Sequence, residues 1–230
     1  MGIKIIEQLD KSGPVMSSVI TPDKFVKAAE KAFDCQLSGK TSFTGWGIPT
    51  KIPKEFNIGV IYGASGSGKS TLLRNFGVKS FHKWDYNKAI ISHFESPDDG
   101  INKLSAVGLN SIPSWYKPYE ILSNGEKFRA DLSRSIKDNA SIDEFTSVVD
   151  RNVAKAASVS LSKYIKNNNI KNVVLATCHE DVLDWLEPDW VINTNNGEVY
   201  DGNFFKGQTS ISKYIEQTIV SGLCLKTITI

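Results

Sequence analysis

A chain of 230 residues, 40% apolar and 23% charged with a net charge of +2, has the balance of a globular protein with one substantial core and one or two domains. The near-neutral charge excludes a strongly basic or acidic character as the basis of partner choice, and no run approaches the ~18 apolar residues of a membrane span. Cys35, Cys178 and Cys224 are too scattered for a disulfide framework or a metal cluster. With a start, MGIKIIEQLDKS, that lacks a long apolar stretch, the expected setting is reducing and cytoplasmic, with no membrane insertion.

In chain order, Val15–Ile20 reads as a strand and Thr21-Pro22 as a helix cap with proline at the first helical position. Phe25, Ala28, Ala29, Ala32 and Phe33 follow at helical spacing and predict a buried face. Residues Ser38–Glu55, rich in Gly, Pro and Thr, read as loops around short strands.

The apolar run Ile58-Gly-Val-Ile-Tyr62 then leads into GASGSGKST, Gly63 to Thr71, and Leu72-Leu-Arg-Asn follows. This is G-x-x-x-x-G-K-[ST] in its strand–loop–helix context, a phosphate cradle. Gly63, Ser65, Gly66, Ser67 and Gly68 let backbone N–H groups curl around phosphates, the helix N-terminus adds partial positive charge, and Thr71 completes the run. Lys69 is expected to reach the β- and γ-phosphates and the Ser70 hydroxyl to take a position on Mg2+. The cofactors read from this segment are a nucleoside triphosphate and Mg2+.

Farther on, Ala89–His93 is a short apolar run read as a strand. Asp98–Tyr119, with Pro113 and Pro118, reads as irregular with at most one short helix, and Glu126–Lys137 as helical. Arg151–Lys166 is patterned as a helix: Val153, Ala157, Leu161, Tyr164 and Ile165 share one face. Arg151, Lys155, Lys163 and Lys166 lie opposite, within roughly 120°. That basic face is either a solvated helix surface or a nucleic-acid contact. Lys171–Thr177 reads as a buried strand, and Asp189–Asn193 with Glu198–Tyr200 as a strand pair around Asn195-Asn196-Gly197. Strands alternating with helices after such a loop imply an α/β fold with a mainly parallel sheet covered on both faces.

Three further segments resemble the motifs of ATP-binding-cassette (ABC) ATPases. Leu122-Ser-Asn-Gly-Glu-Lys-Phe-Arg129 resembles the signature L-S-G-G-Q/E, with Asn124 in place of the first glycine. Ile142-Asp-Glu-Phe-Thr-Ser-Val-Val-Asp150 resembles the Walker B and D-loop run, with Phe145 where proline is common. His179, after Val173–Thr177, occupies the place of the switch histidine. The resemblance, over about Phe43 to Tyr200, implies a P-loop NTPase with a RecA-like core, short antiparallel β elements and a reduced helical lobe. It divides one ATPase domain, 1–230, into an N-terminal extension (1–42), a nucleotide-binding core (43–200) and a C-terminal extension (201–230).

The resemblance also implies that the triphosphate is ATP, and it implies roles. Asp143 would hold Mg2+ with Ser70, Glu144 would polarise the attacking water and His179 would position it. Ser123 and Gly125 would complete the ATP site of the other copy in a head-to-tail homodimer, to which Asp150 and Ser147 of the D-loop would cross. Trp46 or Phe43 would stack on adenine. A Q-loop glutamine has no obvious equivalent, and His93 is the nearest candidate. The short inserts between Lys69, His93 and Leu122 argue against a transporter subunit, which remains an alternative beside a slowly hydrolysing ATP-gated switch. DEFTSVVDRNVAK with CHEDVLDWLEPDW resembles compact ABC ATPases associated with GNAT-like acyltransferase domains in archaea, bacteria and tailed phages. It implies a protein partner of acyltransferase-like or DNA-associated kind.

Overall fold

Residues 4–79 and 82–202 are described in the computed structural model of the chain, so the expected C-terminal extension from 203 onward, Cys224 included, lies outside the described residues. The centre is a seven-stranded mixed sheet in the order β1-β9-β8-β4-β7-β6-β5. Its two middle strands, β4 (Ile58–Tyr62) and β7 (Val173–Thr177), are buried along their whole length. Continuous apolar runs such as Val173-Val-Leu-Ala fit only a strand covered on both faces, as in parallel sheets. β5 (Val78–Lys79), β6 (Ala140–Ile142), β7, β4 and β8 (Trp190–Asn193) run parallel. The antiparallel pair β9 (Glu198–Asp201) and β1 (Ile5–Gln8) closes one edge. The sheet therefore draws in residues 5–8, upstream of the core boundary set at Phe43. Because five strands share a direction, the loops that follow them emerge along one edge, where ligands bind in open α/β sheets.

The strand expected at Val15–Ile20 forms as β2 (Val15–Val19) and pairs antiparallel with β3 (Lys40–Thr44), Met16 opposite Phe43. Between them α1 (Lys24–Phe33) starts two residues later than its predicted cap. Asp23, and not Thr21, accepts hydrogen bonds from the N–H groups of Phe25 and Val26. Its apolar face is not buried either, since Phe25 is 71% and Phe33 81% exposed. Periodicity gave the helix correctly but carried no information on a partner for that face.

Two more expectations are corrected between the P-loop and the signature. Ile90–His93 is a single 3-10 turn rather than a strand; the short apolar run Ala89-Ile90-Ile91 is compatible with either. The stretch read as irregular holds two helices, α3 (Pro97–Ala106) and the short α4 (Ile112–Trp115). Ser96 caps α3 through the Asp99 N–H, and Pro97, Asp98 and Asp99 occupy its first turn, a helix start written plainly in sequence. Together with α5 (Asn124–Ser135) they form a small helical lobe inserted between β5 and β6.

The expected helix at Arg151–Lys166 forms as α6 (Arg151–Asn167) and packs on α3 and α7 (Val182–Leu186). Ala157, Leu161 and Ile165 are buried on its inner face. The basic face is partly spent within the fold. Arg151 is ion-paired with Asp181, and Lys166 donates to Glu187 and to the carbonyls of Leu186 and Glu187. Of the four, Lys155 and Lys163 are exposed, as in a solvated helix face.

Candidate active site

The turn after β4 runs from Gly63 to Gly68, and α2 (Lys69–Leu73) follows at once. Gly68 holds φ +100°, and a Cβ there would meet the Phe43 ring at 2.9 Å. Glycine is therefore required by backbone and packing together. Lys69 is buried, and its Nζ donates to the carbonyls of Gly63 and Ala64, each at 2.8 Å. An ammonium taken from water with only neutral carbonyls around it is held at a cost that an anion in the loop would offset. α2 spans five residues, so its dipole adds little, and the cradle rests on loop N–H groups and on Lys69.

The loop is braced from β8. Asn195 Oδ1 accepts the Ala64 N–H at 2.8 Å, and the Ser67 and Thr194 hydroxyls meet at 2.6 Å. In sequence Asn195 reads as a turn residue and Thr194 is not singled out. Their part depends on β8 lying beside β4, which nothing local in sequence encodes.

One strand over, β6 brings up the acidic pair. Ser70 Oγ donates to Asp143 Oδ1 at 3.1 Å, and the Glu144 N–H donates to the same oxygen at 3.0 Å. A hydroxyl and a carboxylate at contact distance fit Mg2+, which takes few protein ligands and fills its shell with water and phosphate oxygens. Glu144 then turns out of the strand with φ +52°, and Thr146 has φ +65°. Such angles cost about 1–2 kcal/mol in a non-glycine residue. Between them Phe145 is fully buried and donates its N–H to Ala176 O at 2.8 Å. The replacement of the common proline is thus accounted for: proline has no N–H for β7 to accept. The turned Glu144 lines a cavity of about 230 Å3 with Gly66, Gly68, Lys69, Ser70 and Thr71, and with Met16 and Phe43 of the β2–β3 hairpin.

His179 follows β7. Its Nδ1 lies 3.3 Å from Thr146 Oγ1, and its N–H donates to Thr177 Oγ1. Burial and the nearby Arg151 guanidinium lower its pKa, against the opposing pull of Asp181 and Glu144. The imidazole is therefore neutral at neutral pH. Lys69, Ser70, Asp143, Glu144 and His179 are thus carried to one edge by β4, β6 and β7.

The remaining predicted residues stand elsewhere. Ser123 is the N-cap of α5, in a reciprocal capping box with Glu126, worth about 1 kcal/mol to that helix. Bonds from Ser114 and Ser123 hold Glu126 ionised, its pKa lowered to about 2. Gly125 has open space around it. Neither Ser123 nor Gly125 lines the cavities at the P-loop. Asp150 caps α6 through the N–H groups of Asn152 and Val153, and Ser147 Oγ donates to Glu144 O.

Trp46 is 8% exposed, its indole N–H donates to Ser67 O at 2.9 Å, and the Lys11 ammonium sits 3.5 Å from its ring centroid. The same ammonium lies 5.4 Å from the Phe43 ring centroid, so both candidate stacking rings flank one cation. His93 does not reach the site. Its Nε2 accepts the Asp85 N–H and its Nδ1 lies 3.0 Å from Ala89 O. The histidine that does share a cavity with Asp143 and Glu144, one of about 690 Å3 under the helical lobe, is His82 after β5.

No family model and no curated protein matches the chain. Among solved structures, the dimeric form of MJ0796, a bacterial ABC transporter cassette, is similar with 17% identity and a TM-score of 0.48. The match covers 65% of this chain and 85% of that one. The same cassette as a post-hydrolysis dimer bound to ADP and Pi is similar with 15% identity and a TM-score of 0.48, over 81% of this chain and 93% of that one.

Proposed function

We propose that the chain is an ABC-type ATPase whose P-loop site hydrolyses ATP·Mg2+ once a second copy has closed over it. The observation that carries this reading is the contact of Ser70 with Asp143, which joins cradle and acidic pair with Lys69 and Glu144 in one cavity. In the proposed reaction Glu144 accepts a proton from water, and the water oxygen bonds to the γ-phosphorus. The bond to the bridging oxygen breaks, and ADP and phosphate leave. Lys69 and the loop N–H groups stabilise charge on the transferred group; Ser70 and Asp143 would hold Mg2+, which would supply further charge neutralisation there. His179 positions the water and the γ-phosphate. Ser123 and Gly125, idle at their own P-loop, would act on the other copy's nucleotide, which makes a homodimer a requirement. Closure and release would drive a protein partner through a cycle. An acyltransferase-like or DNA-associated partner rests on the sequence resemblance alone.

Specific ATPase activity measured over a range of protein concentrations tests the composite site. It is expected to rise with concentration and then level off as the dimer saturates. Activity proportional to protein at every dilution would refute the requirement for a second copy.

The His179 environment gives a pH prediction. A lowered pKa means that the neutral imidazole persists into mildly acidic solution, and activity falls only as pH drops through that lowered value. Arg151→Gln removes a cation that depresses the pKa and frees Asp181, which raises it. The acid limb of the kcat profile is therefore expected to move to higher pH. An unmoved limb would show that His179 does not set it.

A further inference from the structure

Two cavities meet at Phe43. One is the phosphate site of Lys69, Ser70 and Glu144. The other, about 380 Å3, shares Phe43, Ser65 and Gly66 with the first and is also walled by Lys11, Trp46 and Asn195. A nucleotide with its phosphates in the first must lay its base and ribose in the space that adjoins it. We propose that the second cavity takes the purine and that Lys11 reads its edge, so that the site accepts guanine nucleoside triphosphates at least as well as adenine ones. This rests on the nucleotide-binding reading given above.

The chemistry of the wall decides the preference. The Lys11 ammonium lies 3.5 Å from the Trp46 ring centroid and 5.4 Å from that of Phe43, at the wall of this cavity. It carries three donors and no acceptor. Asn195 spends its acceptor oxygen on the Ala64 N–H, so the group it has left to offer is the amide NH2. The Thr194 hydroxyl donates to Tyr62 O at 3.1 Å and meets Ser67 Oγ, which is thereby its donor. The Trp46 N–H is spent on Ser67 O. The donors these groups leave to the cavity are therefore the Lys11 ammonium and the Asn195 NH2. Guanine presents O6 and N7 as adjacent acceptors, whereas adenine presents N7 beside an amino donor. A donor held against Lys11 loses a hydrogen bond that guanine keeps.

Calorimetric binding of ATPγS and GTPγS, each with Mg2+, to the full chain and to Lys11→Met tests this. GTPγS is expected to bind at least as tightly as ATPγS. Lys11→Met is expected to weaken GTPγS about tenfold and ATPγS less than about twofold. Equal weakening of both would place Lys11 on a phosphate, and GTPγS binding more than about tenfold weaker than ATPγS would remove the donor edge; either overturns the proposal while nucleotide binding stands. Failure of the unmodified chain to bind either ligand would bring down the P-loop reading itself.

Discussion

Replacing Glu144 by glutamine is expected to lower ATP turnover by at least about a hundredfold, the usual scale of a lost general base, and to leave ATP binding in place. The amide has the same shape and keeps the backbone turn at φ +52°, so the fold has no reason to change. With closure intact and the exit step blocked, the dimer accumulates. Gel filtration of Glu144→Gln is expected to show a monomer alone and a dimer with ATP·Mg2+. Turnover close to that of the unsubstituted chain would exclude Glu144 as the base. A species that stays monomeric at saturating ATP would exclude ATP-driven closure of the chain by itself.

The parts of this site that are legible in sequence are those whose geometry is local. A glycine-rich turn between an apolar run and a helix fixes backbone shape over nine residues, and the structure keeps that shape from Gly63 through Lys69. Asp143-Glu144 is also local, although its strand is only Ala140–Ile142, because the acidic pair needs only to end a strand. What failed depends on which strands lie side by side. His93 is the nearest candidate by distance along the chain and nothing in sequence singles out His82, yet β5 pairs with β6 and so carries His82 toward Asp143. Trp46 and Phe43 are both candidates for the stacking ring in sequence, which does not reveal that Lys11, near β1 at the sheet edge, sits against both. The bracing of Ala64 by Asn195 is of the same kind, since the two residues are 131 apart in sequence.

The helical lobe shows a different limit. Pro113 and Pro118 mark Asp98–Tyr119 as irregular in sequence, whereas Pro97, after Ser96 and before Asp98-Asp99, opens α3. At α1 the pattern was right and the inference from it was not. Apolar spacing records that a face is built to meet something, and Phe25 and Phe33 meet nothing among the described residues that buries them. Ser123 is a mixed case. Its capping box is a sufficient structural reason for serine there, so the residue's identity alone does not argue for a role on another copy's nucleotide. Gly125 is the sharper probe.

Gly125 is the second residue of α5, and a Cβ there would meet nothing within 4 Å. Within one copy, nothing requires glycine at this position. Gly125→Glu relieves the entropic cost of glycine in a helix, about 0.5–1 kcal/mol, and puts an acidic group at the positive end of the helix dipole. The thermal midpoint is therefore expected to hold or rise. If a second copy's phosphates must approach this backbone, the same substitution fills the approach with a side chain and a repelling charge, and turnover is expected to fall by at least about a hundredfold. A stabilised protein that has lost activity is what a trans contact predicts and a purely structural glycine does not. Mixing completes the test. Gly125→Glu keeps an intact P-loop and Lys69→Ala keeps an intact signature, so a dimer of one of each rebuilds a single composite site. Two inactive proteins are expected to regain part of the activity when combined. No recovery, with each variant folded and the two shown to associate, would mean that Ser123 and Gly125 do not complete a site across the dimer.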